Sequence, residues 1–392
     1  MPTNSQQFFE EQKQASQYKV KLLGDYALPF FYKLGSQYRT VWIVDGFAGP
    51  GRYDDGETGS PVATAAVAAK VAPHQSQLRV INVERDPALF SRLEESVAHA
   101  GPLTVNLPGK FSARIADIIQ IIGDDPALFF IDPFGMTGTD IRLIDEILAR
   151  KARTVTELLI HFSYRGFQRM AGNLTFRPRS PARQQAAETK VRQLDAMLGS
   201  PVWQGIWTNS ALSSAEKCER VAELFATALR ARGIDHVHPI KMRDDYHGPT
   251  RYELLFATRS SHGVYLMSDQ VCRYERALPG ADLGDQLSLM GASSRRASRP
   301  SRSDLRDRVY EVGLAQRRGS LQQLQRIISP EFFGFFTEKD YADALRELIR
   351  MGLISRETDR GLKPREELRF VASPTAGRKG GLGASAPKRS AS

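Results

Sequence analysis

Cysteine is nearly missing from this chain: its 392 residues contain two, Cys218 and Cys272. Each stands alone in a stretch of helical pattern, which argues against a disulfide framework or a cysteine-held metal cluster and leaves buried thiols as the expectation. Long apolar runs are also missing, so no membrane-spanning segment is expected. The first residues lack the basic-then-apolar order of a secretory leader, which points to a cytoplasmic setting. Acids are missing from two stretches. One carries Arg295, Arg296, Arg299 and Arg302, the other Arg378, Lys379, Lys388 and Arg389, and these eight make up most of the net charge of +10. Such a distribution suits either a salt-dependent grip on a polyanion or plain solubility, and specifies no base sequence. The remainder, in a chain 41% hydrophobic and 25% charged, is enough for one large domain and a small one.

What is present is organised around Val41-Trp42-Ile43-Val44-Asp45-Gly46-Phe47-Ala48-Gly49-Pro50-Gly51. Four apolar residues in a row predict a central parallel strand covered on both faces, and the carboxylate of Asp45 falls where that strand ends. Ligands of open α/β sheets bind at the carboxyl ends of strands. The glycine spacing departs from the dinucleotide fingerprint Gly-x-Gly-x-x-Gly and closely resembles the first motif of class I S-adenosylmethionine (SAM) methyltransferases. That resemblance implies that Phe47, Ala48, Gly49 and Gly51 bring the backbone close to the methionine part of the cofactor, while Asp45 receives its ammonium. The following strands supply further acids. Leu78 to Val83 is predicted as a strand ending at Glu84, placed for the ribose hydroxyls. Phe111 to Ala116 is read as a third, poorer strand ending at Asp117, for the adenine amino group, and Ala127 to Ile131 is the fourth.

The fourth strand is closed by Asp132-Pro133-Phe134-Gly135. In methyltransferases that act on exocyclic base nitrogens, a strand-end Asp or Asn followed by proline and an aromatic accepts hydrogen bonds from the target amine. The aromatic stacks on the base, which usually has to leave its helix. Asp-Pro-Phe-Gly is closer to the motif of tRNA guanine-N2 methyltransferases than to Asp-Pro-Pro-Tyr, so the acceptor base is open. Asp132, Pro133 and Phe134 are the expected catalytic residues, and no metal site is expected.

Residues 7–38 are predicted as two helices, with Lys19, Leu23 and Tyr26 on one face. Ser60-Pro61 and Asp86-Pro87 read as helix starts, the first helix capped by Ser60 and the second ending near Ala100 before Gly101. Thr139 is predicted to cap a helix over 140–152, and Val155 to Phe162 is the fifth strand. Tyr164 to Arg183 holds Arg165, Arg169, Arg177, Arg179 and Arg183 without an acid, interleaved with Tyr164, Phe167 and Phe176. Guanidinium and aromatic groups side by side suit a phosphate backbone with stacked bases, and equally a solvated loop. Helices are expected over 187–198, 215–232 and 264–276, and Val237 to Met242 with Tyr252 to Thr258 read as a closing hairpin.

The chain is thus an α/β protein. A Rossmann-like sheet of class I methyltransferase type, mostly parallel with an antiparallel edge hairpin, is expected over 1–278. A basic linker over 279–303, a winged-helix-like domain over 304–372 and a disordered basic tail over 373–392 follow. Winged helices bind DNA with their third helix, but residues 304–372 carry 13 basic and 12 acidic side chains, which suits docking to protein at least as well.

The Lys19/Leu23/Tyr26 face, Val44 to Gly51, Gly59-Ser60-Pro61, Glu84 and Phe130 to Gly135 together resemble the three-Cys-motif partner protein family (TcmP), over roughly residues 15–275. The resemblance implies a bacterial protein encoded beside a radical-SAM-like partner that carries the three cysteines. The function expected is SAM-dependent methylation of an exocyclic nitrogen of a nucleic-acid base, with a SAM-binding scaffold that regulates its partner as the alternative.

Overall fold

The computed structural model describes residues 4–133, 135–136, 140–151, 153–176, 180–281, 299–356 and 361–372, with the backbone alone for residues 4–16. Two compact units divide at residues 295 and 296.

The first unit begins with one helix, Asn4–Leu34 (α1), where two were expected. It runs through Pro29. An interior proline costs about 3 kcal/mol by removing a backbone hydrogen bond, but Leu22, Leu23, Tyr26, Ala27, Phe30 and Phe31 are all buried. At roughly 1.5–3 kcal/mol for each large side chain, that face outweighs the break.

Strand Thr40–Asp45 (β1) is followed by Ser60–Val71 (α2), Gln77–Glu84 (β2), Pro87–Val97 (α3), Thr104–Pro108 (β3), Phe111–Ile122 (α4) and Ala127–Ile131 (β4). Then come Ile141–Leu148 (α5), Thr156–Ser163 (β5), Tyr164–Ala171 (α6), Pro181–Leu198 (α7), Trp203–Thr208 (α8), Ser214–Arg230 (α9), His236–Met242 (β6), Tyr252–Thr258 (β7) and Ser261–Ala277 (α10). The seven strands form one sheet in the order β3-β2-β1-β4-β5-β7-β6. The first five are parallel, and β7 turns antiparallel against both β5 and β6. The mixed, mostly parallel sheet with an antiparallel edge hairpin is therefore present. Both cysteines are buried thiols outside any disulfide.

The third strand differs from expectation. Phe111 to Ala116 is the start of helix α4, and β3 lies before it at Thr104–Pro108. Phe111, Ile115, Ile118 and Ile122 are the buried positions of that helix, and their spacing puts them on one face. Helix starts differ too. Gly59, not Ser60, is the N-cap residue of α2, and Asp140 caps α5 through the Arg142 amide, while Thr139 lies outside the described residues. Asp86 caps α3 as expected, accepting from the Ala88 and Leu89 amides. Among the described residues no helix is long and apolar enough to cross a membrane.

The second unit has its own core. Helices Arg302–Gln316 (α11), Leu321–Ile328 (α12) and Glu338–Arg350 (α13) each begin with a capping box, from Ser301, Ser320 and Thr337. Strands Arg318–Gly319 (β8), Ile354–Ser355 (β9) and Leu368–Phe370 (β10) form an antiparallel sheet with β10 in the middle. Leu305, Val309, Leu324, Leu345, Leu368 and Phe370 are among the side chains that fill the space between helices and sheet. Most of the expected linker and the tail, residues 282–298 and 373–392, lie outside the described residues.

Candidate cofactor and acceptor site

Because β1, β2 and β4 are parallel neighbours, Asp45, Glu84 and Asp132 emerge on one rim of the sheet. The loop after β1 folds back across that rim. Gly46 donates its amide to Phe130 O (3.0 Å) and Ala48 to Val83 O (2.9 Å), and Gly49 donates to Glu84 Oε2 (2.9 Å). Gly49 and Gly51 have φ of +65° and +76°, a region that favours glycine. A Cβ on Gly49 would meet nothing within 4 Å, so the loop's outer face is open. Below it, Phe47 packs edge-to-face on Phe111 at 5.7 Å; the residue misread as a strand supports the loop from the first turn of α4.

The far end of the loop is closed by Gly59, whose amide donates to Gly51 O at 2.7 Å. A Cβ there would sit 2.8 Å from the same carbonyl oxygen. Gly59→Ala is therefore expected to push the Gly49–Gly51 backbone out of place and to weaken binding of the nucleoside ligand proposed below at least tenfold by calorimetric titration. Gly56→Ala, in the same polar insertion, has open space around its Cβ but a φ of +84°, so its strain stays local and a loss below threefold is expected.

Asp45 is fully buried. Its Oδ2 accepts from Ser60 Oγ (2.6 Å) and its Oδ1 from the Phe47 amide (3.1 Å). Burial pushes its carboxyl up to about 7, against the pull of those two hydrogen bonds. Ser60 thus leaves its expected cap role to tie α2 to the strand end. Glu84 is buried as well; its Oε1 accepts from the Asp86 amide at 2.8 Å and its Oε2 from Gly49.

Asp132 is held from two sides. Lys19 of α1 places Nζ 2.5 Å from Oδ2, and His161 of β5 places Nδ1 3.0 Å from Oδ1, with 16%, 16% and 12% of the Asp132, Lys19 and His161 side chains exposed. Burial alone would raise the Asp132 pKa, but the Lys19 ammonium and the His161 imidazole outweigh it and hold the carboxyl well below the usual range. Tyr252 of β7 meets the His161 ring edge-on at 4.5 Å. Each carboxylate oxygen thus has one neighbour, the Lys19 ammonium or the His161 ring, whose Nδ1 makes no aligned hydrogen bond, and each keeps lone-pair capacity for a further donor.

This arrangement follows from how α1 lies along β5. Glu157 and His161 share one face of β5, since side chains alternate. Tyr26 Oη donates to Glu157 Oε2 (2.6 Å) while Lys19 reaches Asp132 beside His161. Seven residues of helix rise about 10 Å and four of strand about 13 Å, so an antiparallel helix delivers both side chains in step. Sequence reading placed Lys19 and Tyr26 on one face but missed His161 and Glu157. The available signal was a polar residue at each end of Leu158-Leu159-Ile160.

Asp117 does not belong to the site. It lies exposed on α4, paired with Arg114 at 3.0 Å, because the segment that was to end in it is helical. Pro133 is buried beside Asp132; Phe134, Arg177 and Arg179 lie outside the described residues. Arg165 and Arg169 are exposed on α6, and the Arg169 guanidinium passes 3.3 Å from where a Gly135 Cβ would stand. Tyr164 and Phe167 are core side chains rather than stacking platforms, since α6 turns both inward; Phe176 is exposed.

The fold and site define an open α/β protein with a glycine loop and acidic strand ends at the carboxyl rim, the place where such sheets take nucleoside ligands. No protein-family model matches the chain, and no curated protein does. Among solved structures it is similar to the DszA carbon methyltransferase, at 15% identity over 58% of this chain and half (50%) of that one, with a TM-score of 0.34. It is also similar to a protein from Galdieria sulphuraria described as a sarcosine dimethylglycine methyltransferase, at 13% identity over 60% and 85% of the two chains, with a TM-score of 0.27. A third is geranyl diphosphate methyltransferase in complex with GPP and sinefungin, at 12% identity over 62% and 77%, with a TM-score of 0.28.

Proposed function

We propose that this protein is a SAM-dependent methyltransferase that acts on a nucleic-acid base in the cytoplasm, beside a three-Cys-motif radical-SAM-like partner. The observation that carries this reading is the glycine loop bonded to Glu84, with Asp45 beneath it, on the rim that also bears Asp132. The residues present fit the cofactor: Gly49 offers open space above a left-handed backbone, and Glu84 stands at the ribose position. Asp45, sealed by Ser60 and Phe47, supplies charge under the methionine ammonium. SAM itself brings an activated methyl group on a sulfonium. Of the acids assigned to it from sequence, two remain, since Asp117 is elsewhere. Arg169, beside the acceptor loop, is placed for a substrate phosphate.

In the second unit the order helix, strand, two helices and two strands supports the winged-helix assignment. Its third helix, α13, carries Glu338, Asp340, Asp343 and Glu347 against Lys339, Arg346 and Arg350, and Arg346 is paired with Asp343. That balance is poor for phosphate and favours docking on the partner protein. The scaffold reading is kept because Asp132 already neighbours Lys19 and His161 rather than standing open.

SAM and S-adenosylhomocysteine at a hundredfold excess over Kd are expected to stabilise the protein by about 2.7 kcal/mol, and ATP not at all, in a thermal-shift series. Asp45→Ala should abolish that stabilisation, and affinity for SAM should rise from pH 6 to pH 8 as Asp45 ionises. Tritiated SAM incubated with total tRNA, rRNA and DNA, with and without the partner, separates the two readings. Label transfer that Asp132→Ala removes supports the enzyme, and SAM binding without transfer under any condition supports the scaffold.

A further inference from the structure

The contacts of Asp132 bear on the kind of atom that is methylated. Lys19 lies against Oδ2 of Asp132 and His161 against Oδ1, so a target amine would share each oxygen with a neighbour already in place. The same contacts make a carboxylate–imidazole pair. A carboxylate oxygen 3.0 Å from Nδ1 favours a proton on that nitrogen by its charge, although the N–H is not aligned on it, and leaves the Nε2 lone pair available. Tyr252, edge-on to the ring, and Lys19, across the carboxylate, restrict its orientation.

We propose that His161 is the proton-accepting residue of this site and that the methylated atom is one that must lose a proton to react, an oxygen or a ring nitrogen. The inference rests on the methyl-transfer reading above and narrows its substrate class. Nε2 takes the proton as the acceptor's electron pair bonds to the methyl carbon. The carbon–sulfur bond breaks with its electrons left on sulfur, which passes from sulfonium to thioether, and the imidazolium afterwards gives its proton to water. An exocyclic amine sheds its extra proton to water unaided, whereas the lone pair of a ring N–H or hydroxyl becomes fully reactive only as that proton leaves. Asp132 stabilises the imidazolium, and Lys19 keeps Asp132 ionised; both are positioning residues. Burial lowers the His161 pKa, with Asp132 pulling it up and Lys19 adding to the depression, so the ring is neutral near pH 7. The groups facing it are Asp132 from the end of β4, Lys19 from α1 and Tyr252 from β7, and Asp45 and Tyr53 act on the Asp132–Lys19 side.

The test has two arms. In the full chain labelled with ¹⁵N-histidine, long-range proton–nitrogen spectra read the tautomer, with His161 assigned by His161→Gln. The expected result is a protonated Nδ1 and a bare Nε2 at pH 7.5, changed in Asp132→Asn; the opposite tautomer, or an imidazolium up to pH 8, overturns the proposal. The second arm measures tritium transfer from SAM to poly(dT) and poly(dI), which offer a ring N–H and no exocyclic amine, and to poly(dA) and poly(dC), which offer the amine alone. Transfer to the first pair is expected, rising about tenfold per pH unit below the His161 pKa and falling about a hundredfold or more in His161→Gln. Label confined to poly(dA) or poly(dC), a rate indifferent to His161→Gln, or label on none of the four overturns it. Absence of SAM-specific stabilisation is the separate sign that the parent reading has failed, and the tautomer measurement does not depend on it.

Discussion

Asp132→Ala is expected to lower the melting temperature of the first unit by roughly 6–12 °C and to abolish methyl transfer. Removing one partner of a buried ion pair costs about 3 kcal/mol or more, because the other charge is left without compensation, and at this size each kcal/mol moves the transition by about 2–4 °C. The stranded groups would be the Lys19 ammonium and the His161 ring beside it. Differential scanning calorimetry of the full chain measures the first effect. The double replacement Lys19→Met with Asp132→Leu should recover most of the stability, since an apolar pair of similar volume is often no worse than a buried ion pair. It should recover none of the transfer. A single mutant that melts with the wild type would show that α1 is not fastened at the rim through this contact.

Titration of buried carboxyls is expected to remove stability as pH rises from 5 to 8. Glu157 is buried with Tyr26 and Thr258 donating to it, and burial, against those two hydrogen bonds, pushes its carboxyl up to about 7. Burial takes Asp45 to about 7 as well, and Glu253, held by Tyr164 at 2.7 Å, to about 6. Each folded-state value lies above its unfolded one, so between the two the folded chain binds more protons, and stability present at low pH is lost as pH climbs through the folded value. With about 1.4 kcal/mol per pKa unit, Asp45 and Glu157 each contribute on the order of 3 kcal/mol to that fall. Asp132 works in the opposite sense below pH 4, and His161, His236 and His238, which burial holds below the ordinary imidazole value, add stability as pH rises from 5 to about 6.5, so the net fall is read between pH 6.5 and 8. Glu157→Gln, which imitates the protonated acid between two hydroxyls, should flatten the profile and melt above the wild type at pH 8. A melting temperature constant from pH 6.5 to 8 would sink the argument.

The parts of this architecture that local pattern determines were legible in the residues. β4 is an apolar run bounded by turn residues, and its limits match expectation residue for residue; β1, Glu84 and the β6–β7 hairpin follow from the same kind of signal. β3 was not legible, because Thr-Val-Asn-Leu-Pro is short, only partly buried and closed by proline, while the isoleucines after it drew the strand assignment despite their helical spacing. His161 and Glu157 were illegible for a different reason. A single polar residue inside an apolar strand gains meaning only from the side chain opposite it, and those side chains arrive from α1, far away in the sequence. Asp117 shows the converse: counting acids in order, without knowing which segments are strands, admitted one that never reaches the rim.

The outer strand β6 has a consequence for assembly. Its central residue, Pro239, offers no amide hydrogen, and it lies on a strand that also bears His236, His238 and Lys241. A second chain approaching that border would find a gap in the donor row and a cation to desolvate, so the ribbon resists being lengthened by an incoming strand. Self-association by strand addition on this border is therefore disfavoured, and crowding or overexpression should not seed cross-β aggregates from this side, which leaves the opposite edge, β3, and the helices as the surfaces open to assembly.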